Sequence, residues 1–127
     1  KIKMPQAFRA ALSAAYEAMI SRDAAAKARA VQVLTALPPE AKGRSAAAMF
    51  AALGANREAM QTVEQRVKAN GLWGASWLFL PATRGLLNDP AFPGFAQRLG
   101  LMTYWKATRT KPDVCSETQA PPFCRMI

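Results

Sequence analysis

Side chains able to do acid–base or covalent chemistry are few in this 127-residue chain. It has no histidine, which removes the usual general base and any Ser-His-Asp or Cys-His arrangement. Its eight carboxylates, Glu17, Asp23, Glu40, Glu58, Glu64, Asp89, Asp113 and Glu117, are dispersed and form no catalytic pair. Glu58 and Glu64 fall on different sides of one helical stretch, and Asp23 and Asp89 stand where a helix cap belongs. Neither a glycine-rich phosphate motif nor a dinucleotide fingerprint occurs. The only cysteines are Cys115 and Cys124, in a segment rich in proline and polar residues. A structural zinc site normally takes four Cys or His ligands, and the redox Cys-x-x-Cys spacing is missing. A disulfide or two free thiols remain. A bond closing so short a loop stabilises by about 2–3 kcal/mol and would place this part of the protein in an oxidising compartment such as the periplasm; free thiols would suit the cytoplasm. The chain is expected to be no enzyme and to need no cofactor or metal.

The totals describe a globular domain: 51% hydrophobic and 20% charged residues, with enough length for one core. The net charge of +9 invites a nucleic-acid or anionic-surface reading. However, the basic residues are scattered from Lys1 to Arg125, with neither a basic arm nor a recognition-helix signature. A solvated basic surface is the expectation, and nucleic acid is not an expected partner. No apolar run approaches the ~18 residues of a membrane span; residues 46–53 and 77–80 are far shorter. The beginning has a signal-like order of basic then apolar residues, but Arg9 and Glu17 interrupt it. It reads as an amphipathic helix.

What must position these side chains is helix. Pro5 opens a first segment in which Phe8, Ala11, Leu12, Ala15, Tyr16 and Met19 share one broad face. Ser21, Arg22 and Asp23 make a turn, and Asp23 caps a second helix from Ala24 to about Leu37. Its buried face would be Ala26, Ala30, Val33 and Leu37, with Val31 and Leu34 beside it. Pro38 and Pro39 stop it. A third helix is expected from Pro39 or Glu40, through Gly43, to Leu53, burying Ala46, Ala47, Met49, Phe50 and Leu53. Gly54 breaks it, and Asn56 caps a fourth helix to Asn70 with Ala59, Met60, Val63 and Val67 on its face.

Tyr16 and Phe50 are 34 residues apart, as are Ala25 and Ala59. That spacing is the tetratricopeptide period, and alanine at a helix crossing lets the axes approach closely. Arg66 and Gly71 depart from the small residue and the proline expected there, so the same spacing also fits two alanine-rich hairpins without a true repeat.

Residues 81–115 are more specific. A short helix is expected over residues 81–87. Asp89-Pro90 reads as a second helix start, Phe92, Phe95, Ala96 and Leu99 form an apolar face, and Gly100 ends the helix in a left-handed turn. Leu101, Met102, Tyr104 and Trp105 resume the apolar run, and Pro112 forbids further regular helix. The order Leu87, Asp89-Pro90, Phe92, Phe95, Arg98-Leu99-Gly100-Leu101, Tyr104-Trp105, then Pro112-Asp113, Cys115 and Cys124, resembles the carboxy-terminal closing segment of bacterial tetratricopeptide-like repeat proteins. Such segments follow winged-helix transcriptional regulators and adenylate-cyclase-type output domains.

The resemblance implies an all-α fold: antiparallel helix hairpins stacked as a short tetratricopeptide-like solenoid, with an aromatic-rich helical cap. The organisation expected is a single helical domain over residues 1–127: two helix pairs in residues 5–70, capping helices in residues 71–110, and an irregular tail in residues 111–127. It further implies a fragment of a longer regulatory protein, with the output function elsewhere. Two cysteines are common in such tails, which favours the disulfide. The cap would be anchored by Trp73, Trp77, Phe92, Phe95, Tyr104 and Trp105, since a terminal repeat has an apolar face to cover. An exposed aromatic ligand site is the sharper alternative for the tryptophans. By carry-over of the period, Ala14, Glu17 and Ala18 with Arg44, Ala48, Ala51 and Ala52 would line a groove for a protein or peptide. A structural cap or homodimerisation element is the competing function.

Overall fold

In a computed structural model, the structure describes residues 5–70 and 78–127, apart from the side chains of Arg44 and Asn70. The described residues form seven α-helices and no strand: α1 (Gln6–Ser21), α2 (Ala24–Thr35), α3 (Arg44–Ala52), α4 (Asn56–Asn70), α5 (Arg84–Leu87), α6 (Phe92–Arg98) and α7 (Leu101–Thr108). The all-α expectation holds.

Local signals set most of the boundaries. The N–H of Ala26 donates to Asp23 Oδ2 at 3.0 Å, so Asp23 caps α2 as its position predicts. Gly54 adopts φ +80°, and the N–H of Ala55 reaches back to the Phe50 carbonyl at 2.8 Å, closing α3 with a left-handed glycine cap. Gly100 does the same work between α6 and α7 at φ +84°. Arg22 and Arg109 end α1 and α7 in left-handed conformations too, without a glycine to announce them.

Three expected starts shift. The third helix does not run from Pro39. Residues Pro39–Ala41 make a single 3-10 turn, and extended backbone at Gly43 (φ −93°, ψ −161°) separates it from α3. A residue costly within a helix interior sits instead at its start. Asn56 is the first residue of α4 and not a side-chain cap: its Nδ2 donates to Asp89 Oδ2 at 3.1 Å. The helix expected from Pro90 opens at Phe92, because Asp89 holds a turn first, accepting the N–H of Ala91 at Oδ1 (2.8 Å) and that of Phe92 at its carbonyl (2.9 Å).

The pairs α1–α2 and α3–α4 are the principal packing units, and α3 also meets α5 and the 3-10 turn Pro81–Thr83. The fully buried positions of α1 are Ala11, Ala15 and Ala18. Tyr16, expected on the buried face, is 57% exposed, and Val33 is also exposed while Leu34 is buried. Small side chains let adjoining helices approach, and a bulky one at the crossing would hold them apart. On α3 and α4, Ala46, Ala47, Met49, Phe50, Leu53, Ala59 and Met60 are buried as expected, with Val63 and Val67 half-buried.

From Leu78 onward the core joins a cluster of rings to Leu78, Leu86, Leu87 and Met102. Phe92 lies 5.9 Å from Phe95 and 5.0 Å from Phe123, centroid to centroid. Phe123 stacks on Trp105 at 5.4 Å, and Trp105 meets Phe79 edge-on at 6.4 Å. Such pairs add about 0.5–1.5 kcal/mol each beyond burial. Phe123 reaches this cluster on a tail of 3-10 turns, Asp113–Ser116 and Pro122–Met126, which the Cys115–Cys124 disulfide closes into a loop. Lys111 Nζ donates to the Cys124 carbonyl at 3.3 Å. Trp73 and Trp77 lie outside the described residues.

Candidate functional site

The solvent face of α1 is the most distinctive surface of the described residues. Arg9, Leu12, Ser13, Tyr16, Glu17 and Ile20 line a shallow depression of about 430 Å³, recurring at three- and four-residue steps along one stripe. Ile20 is 82% exposed and Tyr16 57%. The stripe lies opposite Ala11, Ala15 and Ala18, which are fully buried, and leaves Tyr16 and Ile20 in water while Phe8, Leu12 and Met19 pack partly against the core. It carries no cysteine, lysine or histidine, and its single carboxylate, Glu17, forms no ion pair within the described residues.

The residues expected to line a groove are distributed unevenly. Glu17 is exposed on this stripe, Ala14 is half-buried beside it and Ala18 is fully buried. On α3, Ala48 and Ala52 are half-buried and Ala51 is buried; Arg44 opens that helix. Of the expected cap anchors, Phe92, Phe95 and Trp105 join the buried ring cluster, whereas Tyr104 is 59% exposed. Neighbouring helical positions point about a third of a turn apart, so burying Trp105 turns Tyr104 outward. Ile20, Arg9 and Ser13 belong to the stripe but were not distinguished by sequence reasoning. Their four-residue spacing with Tyr16 and Glu17 was the available signal.

A second concavity, of about 530 Å³, lies between Phe79, Arg84, Trp105, Pro112, Asp113, Val114 and Glu117. The Arg84 guanidinium grips both carboxylate oxygens of Glu117, at 2.5 and 3.0 Å. The bond to Arg84 lowers the Glu117 pKa below its ordinary value, and the same bond raises that of Arg84. Arg98 is likewise raised by its bond to Glu64, at 2.6 and 3.0 Å. Both pairs fasten the tail and α6 to the rest of the fold, and a two-point Arg–carboxylate pair positions side chains well. Among the described residues, no three Cys, Asp or Glu side chains converge as a metal site would need, and no helix is long and apolar enough to cross a membrane.

What this arrangement can do is present a surface. Asp23 and Asp89 accept backbone N–H groups in turns, Arg84 and Arg98 pair with Glu117 and Glu64, and the stripe on α1 leaves Tyr16 and Ile20 in solvent. No family model, curated protein or solved structure matches the chain.

Proposed function

We propose that this chain is a non-catalytic helical scaffold or sensor region of a larger bacterial regulatory protein, and that it binds a protein or peptide segment. The observation that carries the reading is the exposure of Tyr16 and Ile20 on the stripe of α1 that also holds Glu17. An amphipathic peptide laid along such a face meets apolar anchors at helical spacing and a charge at either end.

The tetratricopeptide-like arrangement belongs to the same proposal. It is supported by two ties between α4 and the segment that leads through α6. Asn56 bonds Asp89 and Glu64 bonds Arg98, across separations of 33 and 34 residues. Two elements running in one direction at that offset are what stacked helix pairs of this period would give. The disulfide supports an oxidising compartment, the periplasm in a bacterium.

Selection of peptides against the intact chain tests the reading, with binding followed by amide chemical shifts. Selected peptides are expected to move the resonances of residues 9–20, and Tyr16→Ser/Ile20→Ser to weaken them at least tenfold. Peptides that bind the double variant as tightly as the parent would overturn it.

A further inference from the structure

The stripe on α1 carries a pattern that names one occupant. Between Gln6 and Ser21 the only charged residues are Arg9 and Glu17, so the helix is neutral within a chain of net charge +9. The two are eight residues apart, about 12 Å along the axis at 1.5 Å per residue, and cannot reach each other. Neither has an ion-pair partner elsewhere among the described residues. Their midpoint is Ser13, a small residue on the same exposed stripe.

We propose that this face docks against the same face of a second copy of the chain, α1 antiparallel to α1, with the two-fold axis passing beside Ser13. Antiparallel pairing about residue 13 sets Arg9 of each copy opposite Glu17 of the other, so both otherwise single charges are matched twice. Ser13 at the crossing lets the helices approach, Tyr16 of each copy lies over Ala10 of the other, and Ile20 lies over the start of the other helix at Gln6. A two-fold interface must complement itself, and a basic residue and an acidic one placed evenly about a small centre do so. An acidic partner would be drawn to the cationic surfaces instead, because this face offers it no net charge. The inference rests on the reading of α1 as an interaction surface and specifies its partner. A seam of one 16-residue helix from each copy falls at or below about 1,200 Å², the size of weak associations. The dissociation constant expected is between about 10 µM and 1 mM.

The test is sedimentation equilibrium of the intact, disulfide-bonded chain at about 150 mM salt, where the Debye length of about 8 Å screens the general repulsion between two basic molecules. The parent chain is expected to form dimers as concentration rises to about 1 mM. Arg9→Glu should weaken dimerisation about tenfold although it lowers the net positive charge, and Glu17→Arg should weaken it at least as much. An equimolar mixture of the two variants, or the double variant Arg9→Glu/Glu17→Arg, should restore it to within about threefold of the parent. These positions are exposed, and unchanged thermal melting confirms that the variants fold. A parent that stays monomeric to 1 mM, or Arg9→Glu dimerising as tightly as the parent, overturns the pairing. Peptide binding that survives either result would leave the scaffold reading standing alone, and loss of both would remove the two together.

Discussion

In residues 5–70 the fully buried positions are chiefly alanine, among them Ala11, Ala15, Ala18, Ala30, Ala46 and Ala59 beside Leu34 and Phe50, whereas in residues 78–127 they are chiefly large, among them Phe92, Phe95, Phe123, Leu78, Leu86 and Leu87 beside Ala96 and Thr83. Each buried alanine removes little apolar surface from water, while each large side chain contributes about 1.5–3 kcal/mol. The first region therefore depends on how closely its helix axes approach, and the second on how much ring and methyl surface a few side chains cover. Regular structure follows the same divide. Long helices serve close approach, and short helices with 3-10 turns suffice where one ring can reach its neighbour from a loop.

The largest effect is expected in the aromatic region. Phe92→Ala removes the ring that touches both Phe95 and Phe123, and should destabilise by about 3–5 kcal/mol in urea unfolding. A loss under about 1 kcal/mol would mean that the rings do not hold this half together. Enlargement is the damaging change in the alanine region. Ala15→Leu should cost about 1–3 kcal/mol by forcing α1 from its neighbours, and Ala10→Leu, on the exposed side of the same helix, should stay within about 0.5 kcal/mol. Equal effects at the two positions would contradict the close-approach account. The smallest effect is electrostatic. Because the Glu117 pKa is lowered in the folded chain by Arg84, its contribution is complete above the ordinary carboxylate value and is lost as pH falls through the depressed folded one. Unfolding midpoints measured from pH 6 down to 3 should show this loss in the parent and less of it in Glu117→Gln, with the chemical shifts of the Pro112–Glu117 segment moving together.

Local chemistry was legible before any coordinates. Asp23 announced the start of α2, Gly54 and Gly100 the ends of α3 and α6, and Pro112 the end of helix altogether, because each acts on backbone groups within a few residues of itself. Asn56 and Asp89 were legible as polar residues near helix starts, but the bond between them joins positions 33 apart and belongs to the folded chain alone. The face expected on α1 is too broad for a related reason. Ala11 and Ala15 are buried on it and Phe8, Leu12 and Met19 pack partly against the core, but only the demand of a neighbouring helix for a small-residue crossing turns Ala18 inward and leaves Tyr16, at the edge of that face, in solvent. The candidate site inherits that limit. Glu17 could be named from the sequence, but Ile20 and Arg9 became part of a site only when Tyr16 was found to face solvent. The aromatic region was legible in its ring positions on α6 and α7 and not in Phe123, which reaches the cluster from a segment without helical periodicity.

Phe123 sits one residue from Cys124 and stacks on Trp105, so the covalent clasp on the tail and the packing of the indole are mechanically one unit. Opening that clasp would give the benzyl ring freedom to leave its seat and let water reach the indole behind it. Reduction of the Cys115–Cys124 bond is expected to loosen the Phe123 ring from Trp105, and tryptophan emission compared with and without reductant checks it.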